Sequence, residues 1–169
     1  REGVDRVRSS DIIARQFMED NGLNEIGKMS DKALNTFQQY LIAKRAIELD
    51  EKGVQTGRNL EADRKLIESV GNGFEKQEKI VRQYTNKMLD YMTDKGLIAS
   101  DLKEQLLRDN PNYVPFNRVM DEVEGQTGNR KSKQLATISK QTVVQKIKGS
   151  DLAVDNPIES IMKNTIRMI

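Results

Sequence analysis

Two clusters of carboxylates are the side chains of this sequence best suited to chemistry. The clusters are Glu48, Asp50 and Glu51, and Asp121, Glu122 and Glu124. Paired carboxylates can perform acid–base catalysis when burial raises the pKa of one of them, and carboxylate oxygens can hold Mg²⁺ or Ca²⁺. Both clusters lie at predicted helix ends among lysines, a position typical of solvated surface charges. A carboxylate enzyme such as a muramidase is therefore kept as an alternative only.

Ser160 and Lys163 stand one helical turn apart, the spacing at which a lysine activates a serine in penicillin-recognising enzymes. The other motifs of those enzymes are missing, and a polar outer face of a helix explains the spacing more simply. The chain has no histidine and no cysteine, which excludes Ser-His-Asp triads, thiol chemistry, disulfides and the usual zinc sites. We therefore expect no catalytic residue, cofactor or metal ion in this segment, and we expect it not to be an enzyme.

A basic connector is the third candidate for function. Residues 125–150 carry six basic side chains and no acidic one. The basic residues are Arg130, Lys131, Lys133, Lys140, Lys146 and Lys148. Because the whole chain has 28 basic and 26 acidic residues, the remainder has 22 against 26 and is mildly acidic. Six cations could neutralise DNA phosphates, but no aromatic residues are interleaved to stack on bases, and a solvated linker is the simpler interpretation.

Two prolines, Pro111 and Pro115, bracket an aromatic segment between two helix-like patterns. Each proline removes a backbone donor and disfavours helical geometry in the residue before it, so the segment predicts an extended strut. The strut residues expected to clamp a contact between helices are Tyr113, Pro115, Phe116 and Arg118. If buried, Tyr113→Ala and Phe116→Ala would each cost about 2–4 kcal/mol of stability.

The composition limits the architecture. The chain has 169 residues, of which 36% are hydrophobic, 32% charged and 5% aromatic, with no tryptophan. Such a lean core favours thin helical layers over a thick globule. No apolar run approaches the roughly 20 residues that a membrane span needs, so we expect no transmembrane segment. We predict an all-α fold: an elongated multi-helix bundle or array with a Pro-rich extended strut and a basic connector.

Turn and cap residues predict the helix boundaries. The expected starts are Ser9 or Ser10, Ser30, the residue after the turn at 56–59, Asn72, Asp101 and Asn156. The expected ends are Asn21-Gly22, Gly53, Gly71, Gly96 and Asn110. The segment 71–73 could kink one helix or separate two, and the capping pair Asn72 and Glu75 favours a fresh helix from about residue 74. Core positions are predicted for Phe37, Tyr40, Tyr84 and Tyr91, and Ile13 and Phe17 are expected on the apolar face of the first helix.

The final segment carries the clearest helix start, with Asn156 as cap, Pro157 at the first position and Glu159 at the third. One face then presents Ile158, Ile161, Met162, Thr165, Ile166 and Ile169. The stripe runs to the last residue and the chain opens at Arg1, so we expect both ends to continue into a longer polypeptide. The predicted divisions are a helical body at 1–123, a basic connector at 124–150 and a C-terminal amphipathic helix at 151–169.

Three local signatures occur in order along the chain. They are YLIAKRAIELDEKGVQTG at 40–57, NPNYVPFNRVMDE at 110–122 and KGSDLAVDNPIESIMKNTIRMI at 148–169. Together they resemble the helical accessory regions of large phage and prophage polyvalent proteins, over most of residues 30–169. Those proteins string enzyme domains together with helical segments and are thought to be packaged in the virion and ejected with the genome. None of the three signatures is catalytic, so the resemblance transfers no catalytic residue.

The resemblance implies a non-enzymatic helical scaffold or interaction segment of a large virion-internal protein. Its location would be the phage virion interior or the infected or lysogenic bacterial cell. The expected partners are other segments of the same polypeptide or other virion proteins, and DNA and a homo-oligomer are further candidates. Two alternatives from the residues themselves stay open: contact with nucleic acid through the basic connector, and a carboxylate-based peptidoglycan hydrolase.

Overall fold

The computed structural model describes the backbone of residues 2–112 and 156–169, with the side chains of residues 11–112 and 156–169. These residues form helices joined by turns, with no strand in either described range, which confirms the predicted all-α class. The helices are α1 (Glu2–Asp20), α2 (Leu23–Gly27), α3 (Asp31–Glu51), α4 (Leu60–Val70), α5 (Glu75–Asp94), α6 (Ser100–Asp109) and α7 (Pro157–Met168). Within the described ranges, none of them has the length and apolarity to span a bilayer.

Most helix boundaries follow the predicted turn and cap residues. Ser30 caps α3, Asn59 of the predicted turn caps α4, and Asn156 caps α7, because each side-chain oxygen accepts a backbone N–H of the first helical turn. Each such cap contributes about 1 kcal/mol. Gly53 follows α3 with φ 77°, as expected of a helix-ending glycine. Helix α4 ends at Val70, so the glycines that follow it separate two helices.

The start of the first helix was predicted wrongly, and a short second helix was not predicted. Helix α1 begins at Glu2, so Ser9 and Ser10 lie inside it. Residues 2–10 contain no proline, and a serine inside a helix costs too little free energy to stop it. The short α2 (Leu23–Gly27) spans too few residues to show a hydrophobic period.

Two predicted capping pairs also fail. Helix α5 begins at Glu75, near the predicted position, but Phe74 occupies the cap position and no side chain caps the helix. The Phe74 ring lies 5.1 Å from the Phe37 ring, so aromatic packing fixes this helix start in place of the predicted Asn72 cap. Helix α6 begins at Ser100, which places the predicted cap Asp101 within its first turn.

One hydrophobic core joins α1, α2, α3, α5, α6 and α7. Phe37, Tyr40 and Tyr84 are buried in it as predicted, and Tyr91 is partly buried against it. Phe17 packs edge-on against Tyr84, with the ring centroids 5.6 Å apart. The methionines and leucines of α5 and α6 fill the centre: the fully buried members include Met88, Leu89, Met92, Leu102 and Leu106. Tyr84 of α5 contacts both Phe17 of α1 and Thr165 of α7, so α1 and α7 lie on the same side of α5.

Helix α4 packs along α3, and an ion pair joins its first turn to the turn that precedes it. Arg58 donates to Asp63 through Nε (2.9 Å) and Nη2 (2.6 Å) in a bidentate arrangement. This hydrogen bond raises the pKa of Arg58. Asp63 is the buried side chain of α4, whereas its apolar residues Ile67 and Val70 are only partly buried.

The predicted apolar stripe of α7 is partly correct. Ile158, Ile161 and Thr165 are buried against the other helices, whereas Met162 and Ile166 are exposed. The buried face also includes Asn164 and Ser160, so the prediction that Ser160 lies on a polar outer face was wrong. Short polar side chains can be buried there because Asn164 Nδ2 donates to the backbone oxygen of Ser160 at 2.8 Å.

The segment between the two described ranges carries several predictions that stay predictions. The elongation of the fold, the strut and the basic connector all depend on residues 113–155, which lie outside the described residues. The division into body, connector and terminal helix is likewise a prediction. Helix α7 contributes Ile158, Ile161 and Met168 to the same core as the body.

Candidate functional site

The residues predicted to form functional sites fall largely outside the described ranges. This holds for the strut residues Tyr113, Pro115, Phe116 and Arg118, for the basic residues Arg130, Lys131, Lys133, Lys140, Lys146 and Lys148, and for the acidic cluster Asp121, Glu122 and Glu124. Of the described candidates, Ser160 is buried, whereas Lys163 is exposed and pairs with Glu159 at 2.5 Å. The serine and lysine are therefore not brought together for nucleophilic chemistry.

The residues that lead into the predicted strut are held by hydrogen bonds. Helix α6 ends at Asp109, as the Asn110-Pro111 pair predicts, and Asn110 leaves helical geometry with φ −135° and ψ 66°. The Asn110 side chain is buried and donates to the backbone oxygen of Leu106 at 2.9 Å. The helix end that Pro111 imposes is therefore stabilised by the buried side-chain amide of Asn110.

A buried carboxylate, Glu48, joins α3 to the end of α6. Its Oε1 accepts from Arg45 Nη1 and from Lys52 Nζ, the latter at 2.7 Å. Its Oε2 accepts from the backbone N of Asn112 at 3.2 Å and from Asn112 Nδ2 at 3.0 Å. Lys52 also donates to the backbone oxygen of Asp109. We call Arg45, Glu48, Lys52 and Asn112 the Glu48 centre.

The Glu48 centre has the chemistry of a structural clamp. Two basic side chains and two amide N–H groups donate to the carboxylate, and both of its oxygens accept hydrogen bonds. Its predicted cluster partners Asp50 and Glu51 are exposed. In the parts of the chain that the structure describes, no three Asp or Glu side chains are grouped to hold a metal ion. Burial of a paired charge demands exact partners, which fixes α6 on α3.

An open, mostly apolar groove lies where α1, α2, α3 and α7 meet, with a volume of about 350 Å³. We call it the α1–α7 groove. Its apolar lining residues are Met18, Leu23, Ile26, Leu34, Ile158 and Met162, and its polar lining residues are Arg15, Glu19 and Asn24, with Gly27 between. Grooves of this size and lining bind apolar groups whose orientation a few polar side chains fix.

The surface beside the groove is also apolar. Met162 at its edge is 45% exposed, and Ile12 and Ile166 are 66% and 54% exposed. Arg15 and Glu19 on the α1 wall are exposed as well. On soluble proteins, contiguous exposed apolar patches are a feature that interaction sites often share.

A buried hydrogen bond holds the α7 wall of the groove in place. The Tyr84 hydroxyl and Thr165 Oγ1 lie 2.7 Å apart, and Thr165 also contacts the Met88 sulfur at 3.8 Å. Burial raises the pKa of Tyr84 to about 12, so the phenol is neutral at physiological pH. The groove wall is therefore part of the rigid core and is not a loosely attached helix.

Sequence reasoning did not find the groove. The pattern marks Leu34 and Ile158 as apolar face positions, but it does not distinguish a residue in a closed core from one that lines an open groove. That distinction depends on α2, whose five residues separate α1 from α3. The exposed pair Met162 and Ile166, four residues apart at the edge of the apolar stripe, was the available signal.

The groove and the Glu48 centre are thus two sites of different character, one open and apolar and one closed and ionic. Their residues do not form any of the catalytic arrangements considered above. Comparison of the whole chain with protein-family models, with curated proteins and with solved structures gave no match.

Proposed function

We propose that this chain is a non-enzymatic helical scaffold or interaction segment of a large phage protein that is carried inside the virion and ejected with the genome. The three sequence signatures at 40–57, 110–122 and 148–169 support the phage context. The α1–α7 groove supports the interaction role. The proposed partners are other segments of the same polypeptide or other virion proteins.

The single observation that carries the proposal is an open apolar groove on a well-packed helical frame. Its walls come from four helices, and three wall residues, Leu23, Ile26 and Ile158, are also core residues. A preformed groove of this kind loses little conformational entropy when a partner binds. Amphipathic helices dock in such grooves through apolar side chains three and four residues apart.

The buried carboxylates support a scaffold role in a different way. Glu48 and Asp63 each accept a hydrogen bond from an arginine. Glu48 also joins α3 to Asn112 after α6, and Asp63 joins α4 to the turn before it. Glu78 accepts from the Tyr40 hydroxyl at 3.1 Å and from Lys44, which ties α5 to α3. Carboxylates with these partners stabilise the frame through charge-assisted hydrogen bonds.

The interaction role predicts that the groove accepts an apolar probe. The dye 8-anilinonaphthalene-1-sulfonate should fluoresce in the presence of the folded chain, and Gly27→Leu should reduce this signal. Gly27 lines the groove, and a Cβ atom added there meets no atom within 4 Å, so the backbone has room for a side chain at this position. The matched control is Ala62→Leu on the exposed side of α4. Equal dye binding by both variants, or none by the wild type, would contradict an accessible groove.

The phage context has its own test. Mass spectrometry of purified virions from the phage or prophage that encodes the chain should find peptides of this chain, and these peptides should be depleted from particles that have ejected their genome. Absence of the peptides from intact virions would overturn the virion-internal part of the proposal and would leave the interaction role to the dye experiment.

Nucleic-acid contact is the second candidate function, favoured by the run of basic residues without acidic ones at 125–150. Phosphate neutralisation predicts DNA binding that weakens steeply with salt. A gel shift at low salt should therefore disappear when the six basic residues become glutamine. If the wild-type chain shows no shift at low salt, this candidate is removed.

A further inference from the structure

We propose that the chain self-associates, with a second copy of itself docked on the α1–α7 groove. This inference rests on the proposed function, because it names the partner of the same interaction surface. The contacting surface consists of one exposed arc of α1 and one exposed arc of α7 beside the groove. It is defined by Ile12, Arg15 and Glu19 of α1 and by Glu159, Met162, Lys163 and Ile166 of α7.

Exposed apolar side chains are concentrated on this pair of helices. In the ranges whose side chains are described, the large apolar residues that stand out in solvent are Ile12, Ile13, Met162 and Ile166. Two belong to α1 and two to α7, and these helices contact each other. Such a concentration marks an interaction surface, since exposed apolar residues on a monomer are ordinarily scattered.

Helical geometry divides these residues into two arcs. At 100° per residue, Ile12 shares its arc with Arg15 and Glu19, which lie three and seven residues later and line the groove. Ile13 instead follows the side of Phe17, whose ring packs on Tyr84 and Tyr91 of α5. The two neighbouring isoleucines therefore face different surroundings.

Charge complementarity identifies the occupant as a second copy. The α1 arc carries a positive then a negative charge four residues apart, Arg15 and Glu19. The α7 arc carries a negative then a positive charge at the same spacing, Glu159 and Lys163, beside its exposed apolar residues. When α1 of one copy runs parallel to α7 of the other, Glu159 meets Arg15 and Lys163 meets Glu19.

Two-fold symmetry repeats this contact. In an isologous dimer each α1 arc meets the partner's α7 arc, so the charge pairs occur twice and the exposed apolar side chains of both copies are covered. The antiparallel alternative would place Arg15 against Lys163 and Glu19 against Glu159, which like-charge repulsion disfavours. The charge order thus selects one relative orientation.

Sedimentation velocity of the full chain tests the proposal. The sedimentation coefficient should rise from a monomer value toward a dimer value as the chain concentration increases from about 1 to about 500 µM. Ile12→Glu and Ile166→Glu should each weaken the association by about tenfold or more, because each buries a charge at the contact. Ile13→Glu is the matched control and should leave it unchanged. Circular dichroism melts of each variant establish that the fold is retained.

A charge exchange tests the orientation. The double variant Arg15→Glu with Glu19→Arg should weaken association, as should Glu159→Lys with Lys163→Glu. Combining all four substitutions should restore it, and each variant keeps the net charge and the i,i+4 pairing within its helix. Failure of the combined variant to recover would overturn the parallel arrangement.

Other outcomes overturn the inference itself. A wild-type chain that stays monomeric throughout the concentration range would do so, as would equal weakening by Ile12→Glu and Ile13→Glu. A monomeric chain could still bind the apolar dye and lose this binding in Gly27→Leu. In that case the groove binds a different polypeptide, and the proposed interaction role stands without self-association.

Discussion

The two ends of α3 differ in how they meet the rest of the protein. Near its start, Leu34 borders the open and mostly apolar α1–α7 groove. Near its end, Glu48 lies roughly 21 Å farther along the helix axis, at about 1.5 Å per residue. There it is buried and receives hydrogen bonds from Arg45, Lys52 and Asn112.

The C-terminal end of α3 is suited to fixing a neighbouring helix, and its N-terminal end is suited to contacting a partner. A buried carboxylate tolerates only partners at fixed positions, because an unmatched charge in the interior is costly. An apolar groove accepts many shapes, because dispersion and apolar burial have no direction. One helix therefore carries a fixed joint at its C-terminal end and an adaptable surface at its N-terminal end.

The largest expected effect comes from breaking the fixed joint. Glu48→Gln should lower the free energy of unfolding by about 3–5 kcal/mol, because it leaves the Arg45 guanidinium buried without this carboxylate. The matched control, Glu51→Gln on the exposed side of the same helix turn, should change it by less than about 0.5 kcal/mol. Urea unfolding at neutral pH measures both, and similar losses in the two variants would contradict the clamp.

A second ionic contact follows α3 and should have a smaller effect. Asp63→Asn should destabilise the chain by about 1–3 kcal/mol, because the buried Asp63 loses its charge toward Arg58, which is itself partly exposed. Glu61→Gln is the control, since Glu61 and its partner Lys65 are both solvent-exposed. Hydrogen exchange of the α4 amides should increase for Asp63→Asn alone. Unchanged α4 protection would show that apolar contacts suffice to hold this helix.

The hydroxyl group of Tyr84 helps to hold the α7 wall of the groove, and its removal should lower the free energy of unfolding by about 1 kcal/mol. Tyr84→Phe removes the hydrogen bond to Thr165 while keeping the ring in the core. The free energy of unfolding at neutral pH, compared with that of Tyr91→Phe, measures this term. No difference between the two variants would mean that packing alone positions α7.

Tyr84 should also make the stability of the chain depend on pH. Burial raises the pKa of Tyr84 from its ordinary 10.0 to about 12, so the folded chain binds the phenolic proton more tightly than the unfolded chain. Its contribution to stability is complete below pH 10 and is lost as the pH rises through 10 toward 12. Stability should therefore fall less steeply in this window for Tyr84→Phe. If the stability of Tyr84→Phe fell with pH as steeply as that of the wild type, the raised pKa of Tyr84 would be contradicted.

The smallest expected changes in stability are those of alanine substitutions at two glycines. Gly27 ends α2 before α3, and Gly53 follows α3. Gly27→Ala should stabilise the chain by about 0.5 kcal/mol, because Gly27 is helical and has open space toward the groove. Gly53→Ala should destabilise it by about 1 kcal/mol, because Gly53 has equal space but a φ of +77°. Thermal melts measure both signs. Equal effects would show that backbone conformation does not separate the two positions.

The sequence predicted the elements better than it predicted the sites. Helix ends that depend on a local hydrogen bond were found, such as the Ser30 and Asn156 caps, because the capping oxygen and the N–H lie within one turn. The start of α1 was predicted too far along the chain, because a residue type that caps helices is also tolerated inside a helix. The start of α5 depends on Phe74 packing against Phe37, which is a tertiary contact and leaves no local signature.

Both described sites depend on residues far apart in the chain. Glu48 and Asn112 are separated by three further helices, and Met162 reaches a groove whose other walls lie in the first third of the chain. The carboxylate cluster around Glu48 was noticed, and Arg45 and Lys52 stand at helical ion-pair spacing from it. The burial of Glu48 and its contact with Asn112 were not foreseeable from spacing. The exposed side of α7 was foreseeable only as the weaker edge of an apolar stripe.

The most direct test of this division of roles is a dilution series of ¹⁵N-labelled chain followed by two-dimensional NMR. Amide shifts that change with concentration should belong to the groove and the α1 and α7 arcs, including Ile12, Met162 and Ile166. The amides of Glu48, Lys52 and Asn112 should not shift. Concentration-dependent shifts centred on the Glu48 centre, with none beside the groove, would contradict the account.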